Sequence, residues 1–307
     1  MRQLRPLRRW RLHADAKRVL PMDADVSVLI PVRNERDNIA ACLRSVAWCD
    51  EAVVVDSGST DGTAELASHL GAKVIQFSYS PGGPKKKNWA LANVPFRHEW
   101  ILIVDADERV TPQLASEIRG ALSDPRAEPV GYYINRRFWF LGRWIRHAGY
   151  FPSWNLRLLK QGHGRYELIP DYSQETGDNE VHEHILLDGA AGWLKEPMEH
   201  YAYPSIQAFV EKHSRYSTWE AEVRRRYLES DEWRGRLPWP LAVRRRLKRA
   251  ARQLPVPDLF RFLYHYVWKL GFLDGAVGYV FCRLLAEYEF LIWAKEFEAR
   301  CTHRESG

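Results

Sequence analysis

Cysteine is scarce in this chain: Cys42, Cys49, Cys282 and Cys301 are the only four in 307 residues. None is spaced as C-x-x-C or as a metal-type cluster, which argues against a zinc ribbon or a dithiol redox centre and predicts reduced thiols in a cytosolic compartment. A run of about 18 uncharged apolar residues is also missing, so no membrane-spanning helix is predicted. The nearest stretch, 262–293, is broken by Lys269, Asp274, Arg283 and Glu287. The basic start of the chain contains no apolar segment and does not read as a secretory signal. Common nucleotide and metal motifs are lacking too. No G-x-G-x-x-G follows the first apolar run, which disfavours a dinucleotide dehydrogenase. "PGGPKKK" (81–87) has its glycines and lysines in the wrong arrangement for a P-loop, and "HEHIL" (182–186) is not H-E-x-x-H, because Leu186 stands where the second His would be. No internal repeat or low-complexity tract is present.

What is present is the composition of a folded globular protein, with 46% hydrophobic and 27% charged residues. The length suits one large domain, or one domain with a sizeable appendage. The formal net charge of +6 is unevenly spread. One basic cluster opens the chain at 1–18, and a second runs from the three arginines at 224–226 through "RGRLPWPLAVRRRLKRAAR" at 234–252. Such clusters meet lipid headgroups, nucleic acid or phosphorylated substrates, or form a solvated face. Many of the 13 tryptophans lie beside Arg or Lys rather than inside apolar runs, which points to an interface as well as a core.

Residues 26–32, "VSVLIPV", read as a buried strand. In the segment that follows, Ile39, Cys42, Leu43 and Val46 recur at helical spacing. "EAVVVDSGS" predicts a second strand ending on Asp56, "STDGTAELASHLG" a helix closed by Gly71, and "AKVIQF" a third strand. "KKKNWALANV" predicts a helix, and "WILIVDAD" a fourth strand. Thr111 then caps a helix that has Pro112 at its first position. This alternation implies βαβ units and a mainly parallel sheet, whose ligands sit at the carboxyl ends of the strands. Pro31, Asp56 and Asp105 are thereby expected on one rim. Beyond residue 129 the aromatic-rich "VGYYINRRFWFLGRWI", "SWNLRLLK" and "VHEHILLDG" read as further strands, and from about residue 205 the chain reads as helical. The expected organisation is a basic segment at 1–24, a catalytic domain at 25–204 and a helical region at 205–307.

Asp105 and Asp107 stand two positions apart at the end of an apolar strand. In an extended segment such residues share one side, so the pair is expected to converge on one cation. Hard oxygen ligands suit Mg²⁺ or Mn²⁺, metals commonly shared with substrate phosphates.

The ordered set "VSVLIPVRNERDNIAACLRSV", "VVVDSGSTDGT", "KKKNWAL" and "ILIVDADE" resembles the signatures of family 2 glycosyltransferases with the GT-A fold, over about residues 25–115. "WNLRLLK", "VHEHI", "EHYAYPS" and "LGFLDGAVGYVF" resemble a subgroup that builds the lipopolysaccharide core, nearest the bacterial β-1,4-glucosyltransferase type, and extend the likeness to most of the chain beyond residue 25. The resemblance implies a Rossmann-like, mainly parallel sheet with flanking helices and an inverting transfer of a hexose, glucose by the subgroup, from a UDP-sugar. It implies that Pro31, Arg33 and Glu35 line the nucleotide pocket. Asp56 would contact the uracil or its ribose, with Ser57, Gly58 and Ser59 forming the adjoining turn. Lys87 would lie near the base or phosphates. Asp105, Ala106 and Asp107 would hold the nucleotide-sugar, with the two carboxylates on the metal and Asp107 essential to catalysis. Glu183 matches the V-H-E position and would be the general base that takes the acceptor's proton. His182 and His184 share one strand face and Glu183 the other. His200 is a weaker candidate, beside the metal or phosphate or simply packed.

The implied acceptor is a lipid-linked glycan, which places the protein peripherally at the inner face of the cytoplasmic membrane. The Trp- and Arg-rich C-terminal region suits an anionic lipid surface, or alternatively forms an ordinary helical cap over the sheet. A polyprenyl-phosphate acceptor is the rival within the class. A processive synthase is disfavoured by the lack of Q-x-x-R-W and of spanning helices. A basic nucleic-acid-binding or membrane-binding protein without enzymatic activity would explain the charge but leave the ordered motifs unexplained, and no nucleic-acid partner is expected.

Overall fold

The structure is a computed structural model that describes residues 25–80, 82–123, 128–167, 184–224 and 256–304. Its first part alternates as the sequence predicts: β1 (Val26–Val32), α1 (Arg36–Ser45), β2 (Glu51–Asp56), α2 (Thr63–His69), β3 (Lys73–Gln76), α3 (Lys86–Asn93) and β4 (Trp100–Ile103). All seven residues of β1 are buried, because both faces of the sheet are covered there. Val28 and Ile30 face α1 and a later helix, α4 (Pro112–Leu122), while Leu29 joins Val53, Ile101 and Ala90 of α3 on the other face. The Thr111 hydroxyl caps α4 by accepting from the Leu114 amide at 3.1 Å.

The remaining strands are β5 (Glu108–Arg109), β6 (Gly131–Phe140), β7 (Arg143–Trp144), β8 (Trp154–Lys160), β9 (Gly164–Tyr166), β10 (Ile185–Leu187) and β11 (Ala191–Tyr203). The main sheet is ordered β3-β2-β1-β4-β8-β6-β11-β5, with β7 on β6, and β9 pairs with β10 apart from it. It is parallel from β3 to β4 and mixed beyond, since β8 runs antiparallel to both β4 and β6. From β1 the chain steps outward to β2 and β3, then returns to β1's other side as β4. The carboxyl ends of β1 and β4 therefore flank the topological switch point, where open α/β sheets leave a crevice.

One expectation is corrected here. The strand into the carboxylate pair stops at Ile103, and residues 105–108 form a turn in which the Glu108 amide donates to the Asp105 carbonyl at 2.8 Å. Asp105 and Asp107 are therefore not neighbours along one side of an extended segment.

The described C-terminal helices are α5 (Ile206–Val223), α6 (Pro257–Leu263) and α7 (Gly275–Arg304), with a π-helical turn at Tyr264–Trp268 and a 3₁₀ turn at Gly271–Asp274 between the last two. They share a core with the sheet: Phe138 and Phe140 of β6 pack with Phe209 of α5 and Phe281 and Leu285 of α7. A buried ion cluster joins the helices, Arg224 lying 2.7 Å from Glu220 and 3.0 Å from Glu289. Among the described residues no helix is long and apolar enough to cross a membrane.

Candidate active site

The rim of the crevice is built by two loops that hold each other. The Asn34 amide donates to Ser59 Oγ at 2.8 Å, and its side-chain oxygen accepts from the Thr60 amide at 2.9 Å. The Glu35 amide donates to Thr63 Oγ1 at 2.9 Å, and the Arg36 amide to Asp61 at 3.1 Å. Asp56 is buried at the end of β2, where its carboxylate accepts from the amide and hydroxyl of Ser59. The turn between them needs a left-handed residue, and Gly58 supplies it at φ 73°. Pro31 is buried in β1, Arg33 is exposed just beyond it, and the Ser57 amide donates to the Val32 carbonyl at 3.1 Å. Lys86 joins α3 to the same corner through a 2.8 Å bond to the Val32 carbonyl.

The two carboxylates are held by different partners. Asp105 lies 2.6 Å from Arg157 of β8 and 3.1 Å from Lys87 of α3. Asp107 faces His200 Nε2 of β11 at 3.5 Å and Lys212 Nζ of α5 at 4.0 Å. Ala106 between them is buried. Burial alone would raise the Asp105 carboxyl, but Arg157 and then Lys87 hold it well below the usual carboxylate range. For Asp107, the His200 ring and Lys212 likewise outweigh burial and the neighbouring Asp105. Both acids are therefore ionised at neutral pH. Glu35 is pushed upward, first by burial and against the bond its carboxylate accepts from the Asn38 side chain, with Asp107 adding repulsion. Burial disfavours the charge on Lys212, yet Tyr216, Asp107, Glu35 and Asp105 more than offset this, so the ammonium persists. Lys212 is thus the cation shared by three acids, reaching them from the C-terminal helical region.

Sequence reasoning gave no role to Arg157, Glu108 or Lys212. Glu108 is fully buried and accepts from Arg157 at 2.8 Å, Arg136 at 3.2 Å and the Asp105 amide at 3.0 Å, which fixes the turn. The one local signal for Arg157 was a charge inside the apolar strand "WNLRLLK". Lys87 also lies 5.4 Å over the Tyr166 ring, and Lys85, at the start of α3, 5.6 Å over the buried Trp219 of α5, so the two helices meet beside the carboxylates. Glu183 and His182 lie outside the described residues. The next residue, His184, starts the ladder beside β9: its carbonyl accepts from the Glu167 amide at 2.9 Å, one residue past Tyr166. His200 sits at Asp107, its ring edge-on to Phe138.

Chemically this is a pair of ionised carboxylates compensated by two lysines and a buried arginine, at the carboxyl-end rim of the parallel strands. Among the described residues no three His, Cys, Asp or Glu side chains converge as a ready metal-binding group.

Comparison with known proteins adds four findings. A family model described as "Glycosyl transferase family 2" matches residues 27–190. A "Lipopolysaccharide core biosynthesis glycosyltransferase LpsC" of Rhizobium meliloti is 33% identical over 208 residues, covering 66% of this chain and 71% of its own. An uncharacterised glycosyltransferase of Rickettsia felis is 28% identical over 64% of this chain and 69% of its own. Among solved structures, glucosyl-3-phosphoglycerate synthase of Mycobacterium tuberculosis, crystallised with Mn²⁺, UDP and glucosyl-3-phosphoglycerate, is 19% identical, with a TM-score of 0.40 over 66% of this chain and 79% of that one.

Proposed function

Since the chain belongs to glycosyl transferase family 2, we propose that it moves glucose from UDP-glucose to a hydroxyl of a lipid-linked glycan of the lipopolysaccharide inner core, with inversion, at the inner face of the cytoplasmic membrane. The observation that carries this reading is the pair Asp105 and Asp107 at the switch-point rim, set among Lys87, Arg157, His200 and Lys212.

The donor's reacting bond ends on a diphosphate that gains negative charge as it leaves. Lys87 and Lys212 stand where that charge would develop, and each would turn from its carboxylate to the departing oxygens. Asp56 and the Asn34–Thr60 brace form a fixed floor for the nucleoside. A divalent ion fits the donor set: such ions commonly take one or two carboxylates and complete their shell with substrate phosphates, so a third protein ligand is not required. Asp107 and Asp105 would hold it, and bound there it would supply Lewis-acid neutralisation of the diphosphate. Glu183 would accept the acceptor hydroxyl's proton, an assignment supported by its match to the V-H-E position. The printed name of the Rhizobium meliloti relative supports the acceptor class. The basic clusters at 1–18 and 225–252 support an anionic membrane surface as partner, although they lie outside the described residues.

Calorimetric titration with UDP, UDP-glucose and GDP-mannose tests the donor, each with Mg²⁺ or Mn²⁺ and then with EDTA. The expected result is binding of the UDP ligands only, dependent on metal and lost in Asp107→Ala while the melting temperature is kept. Binding that survives EDTA would remove the metal from the reading. No nucleotide binding under any condition would overturn the donor assignment.

A further inference from the structure

One segment turns its apolar side chains to solvent. Between Val256 and Leu273, ten large apolar residues are at least 43% exposed, Trp268 reaching 77% and Leu273 53%. An exposed group of this kind marks a surface for another molecule. Its backbone is held firmly. His265 Nδ1 lies 2.7 Å from the Ala148 carbonyl, and the Ala148 amide donates to the Lys269 carbonyl at 2.8 Å. Asp274 accepts from the amides of Arg146 and His147 at 3.3 and 2.9 Å. Gly271 presses on α7 so closely that a Cβ there would stand 2.7 Å from Cys282 Sγ and 2.8 Å from the His265 carbonyl. Leu270 adopts φ 58°, a left-handed conformation that bulky residues avoid unless their surroundings impose it. The fold thus locks the apolar residues outward.

Composition tells what they meet. Lys269 stands in the middle of the group, between Trp268 and Leu270, with its ammonium 5.6 Å over the Tyr264 ring and its stem against Gly149. The centre of a protein–protein interface is depleted in lysine. A bilayer interface accepts it, because the stem lies along apolar surface while the head reaches the phosphates, and Trp and Tyr settle at the same depth. Arg261 adds a second cation, and Asp274, the nearest acid after Asp258, is buried and engaged.

We propose that residues 256–273 form a wedge that enters the headgroup–acyl boundary of an anionic bilayer, seating Trp268, Phe260 and Leu273 among the chains with Lys269 and Arg261 at the phosphates. The proposal deepens the lipid-linked acceptor reading and rests on it. Through Ala148 and Asp274 the wedge holds the loop that leads into β8, the strand that carries Arg157 to Asp105. Docking would therefore fix the orientation of the catalytic rim to the membrane.

The test is co-sedimentation of the full chain with phosphatidylethanolamine–phosphatidylglycerol vesicles. It compares the parent with Trp268→Ala/Leu273→Asp and with Trp193→Ala, an exposed residue on β11. Removing two exposed apolar anchors should lower partitioning about tenfold or more, at unchanged melting temperature, while Trp193→Ala partitions as the parent does. Equal partitioning of parent and double variant would overturn the wedge and leave the membrane reading to the basic clusters. Absence of vesicle binding by the parent would overturn both, without touching the nucleotide titration. Self-association lost in the double variant, with vesicle binding unchanged, would make the surface a dimer contact instead.

Discussion

Arg157→Met removes the guanidinium that lies between Asp105 at 2.6 Å and Glu108 at 2.8 Å. Arg157 is buried, and Glu108 has no exposed surface. After the change Glu108 keeps Arg136 at 3.2 Å and the Asp105 amide at 3.0 Å. Breaking a buried pair from one side costs about 3–5 kcal/mol, and the surviving partners put this case near the lower end, about 3 kcal/mol. At about 2–4 °C per kcal/mol for a protein of this size, the melting temperature should fall by about 6–12 °C. Urea unfolding followed by tryptophan fluorescence reads the loss directly. Adding Asp105→Asn and Glu108→Gln to the variant removes the stranded charges and should recover most of it. The sign with pH follows from Asp105, whose folded pKa is depressed. Its contribution is present above its unfolded value of about 4 and is lost as pH falls through the folded value. The gap between parent and variant should accordingly be full at neutral pH and narrow below about pH 4. A neutral-pH loss under about 1 kcal/mol, or a gap that persists undiminished in acid, would refute the account of Arg157 as the clamp of the turn.

Three further outcomes are expected. Lys212→Ala should cut turnover about 10²-fold or more and also lower the unfolding midpoint, because Asp107 is left with His200, with Lys212→Arg recovering part of both; steady-state kinetics would decide, and an unchanged turnover would remove Lys212 from the reaction. Glu183→Gln should abolish most turnover while nucleotide-sugar binding is spared, and a parental rate would eliminate it as base. His213 and His265 are buried and depressed to about 4, so the unfolded chain takes up protons first as pH falls from about 6.5; stability should drop over that window by up to about 1.4 kcal/mol per pH unit for each, and His213→Gln or His265→Gln should flatten the slope of the urea midpoint against pH.

The parallel half of the sheet was legible because its signals are local: β-branched runs, helical spacing at Ile39, Cys42 and Leu43, and the Thr111–Pro112 cap. The carboxylates were legible as residues and not as geometry. The turn leaves no local trace because it depends on Glu108, whose own partners Arg136 and Arg157 lie 28 and 49 residues away. Lys212 was hidden for a related reason. On α5 it is one charge among several, and only the docking of Phe209 against Phe140 aims it at Asp107. The outward face at 256–273 has the composition of a core, so no periodicity separates the two until the packing is known.

The placement of β11 bears on how such enzymes are inherited and recombined. The family-matched span closes at residue 190, and β11 begins at Ala191. Yet β5, the continuation of the carboxylate turn, finds its hydrogen-bonded partner in β11, which also completes the ladder with β6 and delivers His200. The unit that sequence kinship recognises and the unit that closes the sheet end at different points. A chimaera joined at residue 190 would split one ladder between two parents. A graft that exchanges the C-terminal helices is better joined after Tyr203, which keeps the ladder whole, and must still carry a compatible lysine where Lys212 faces Asp107.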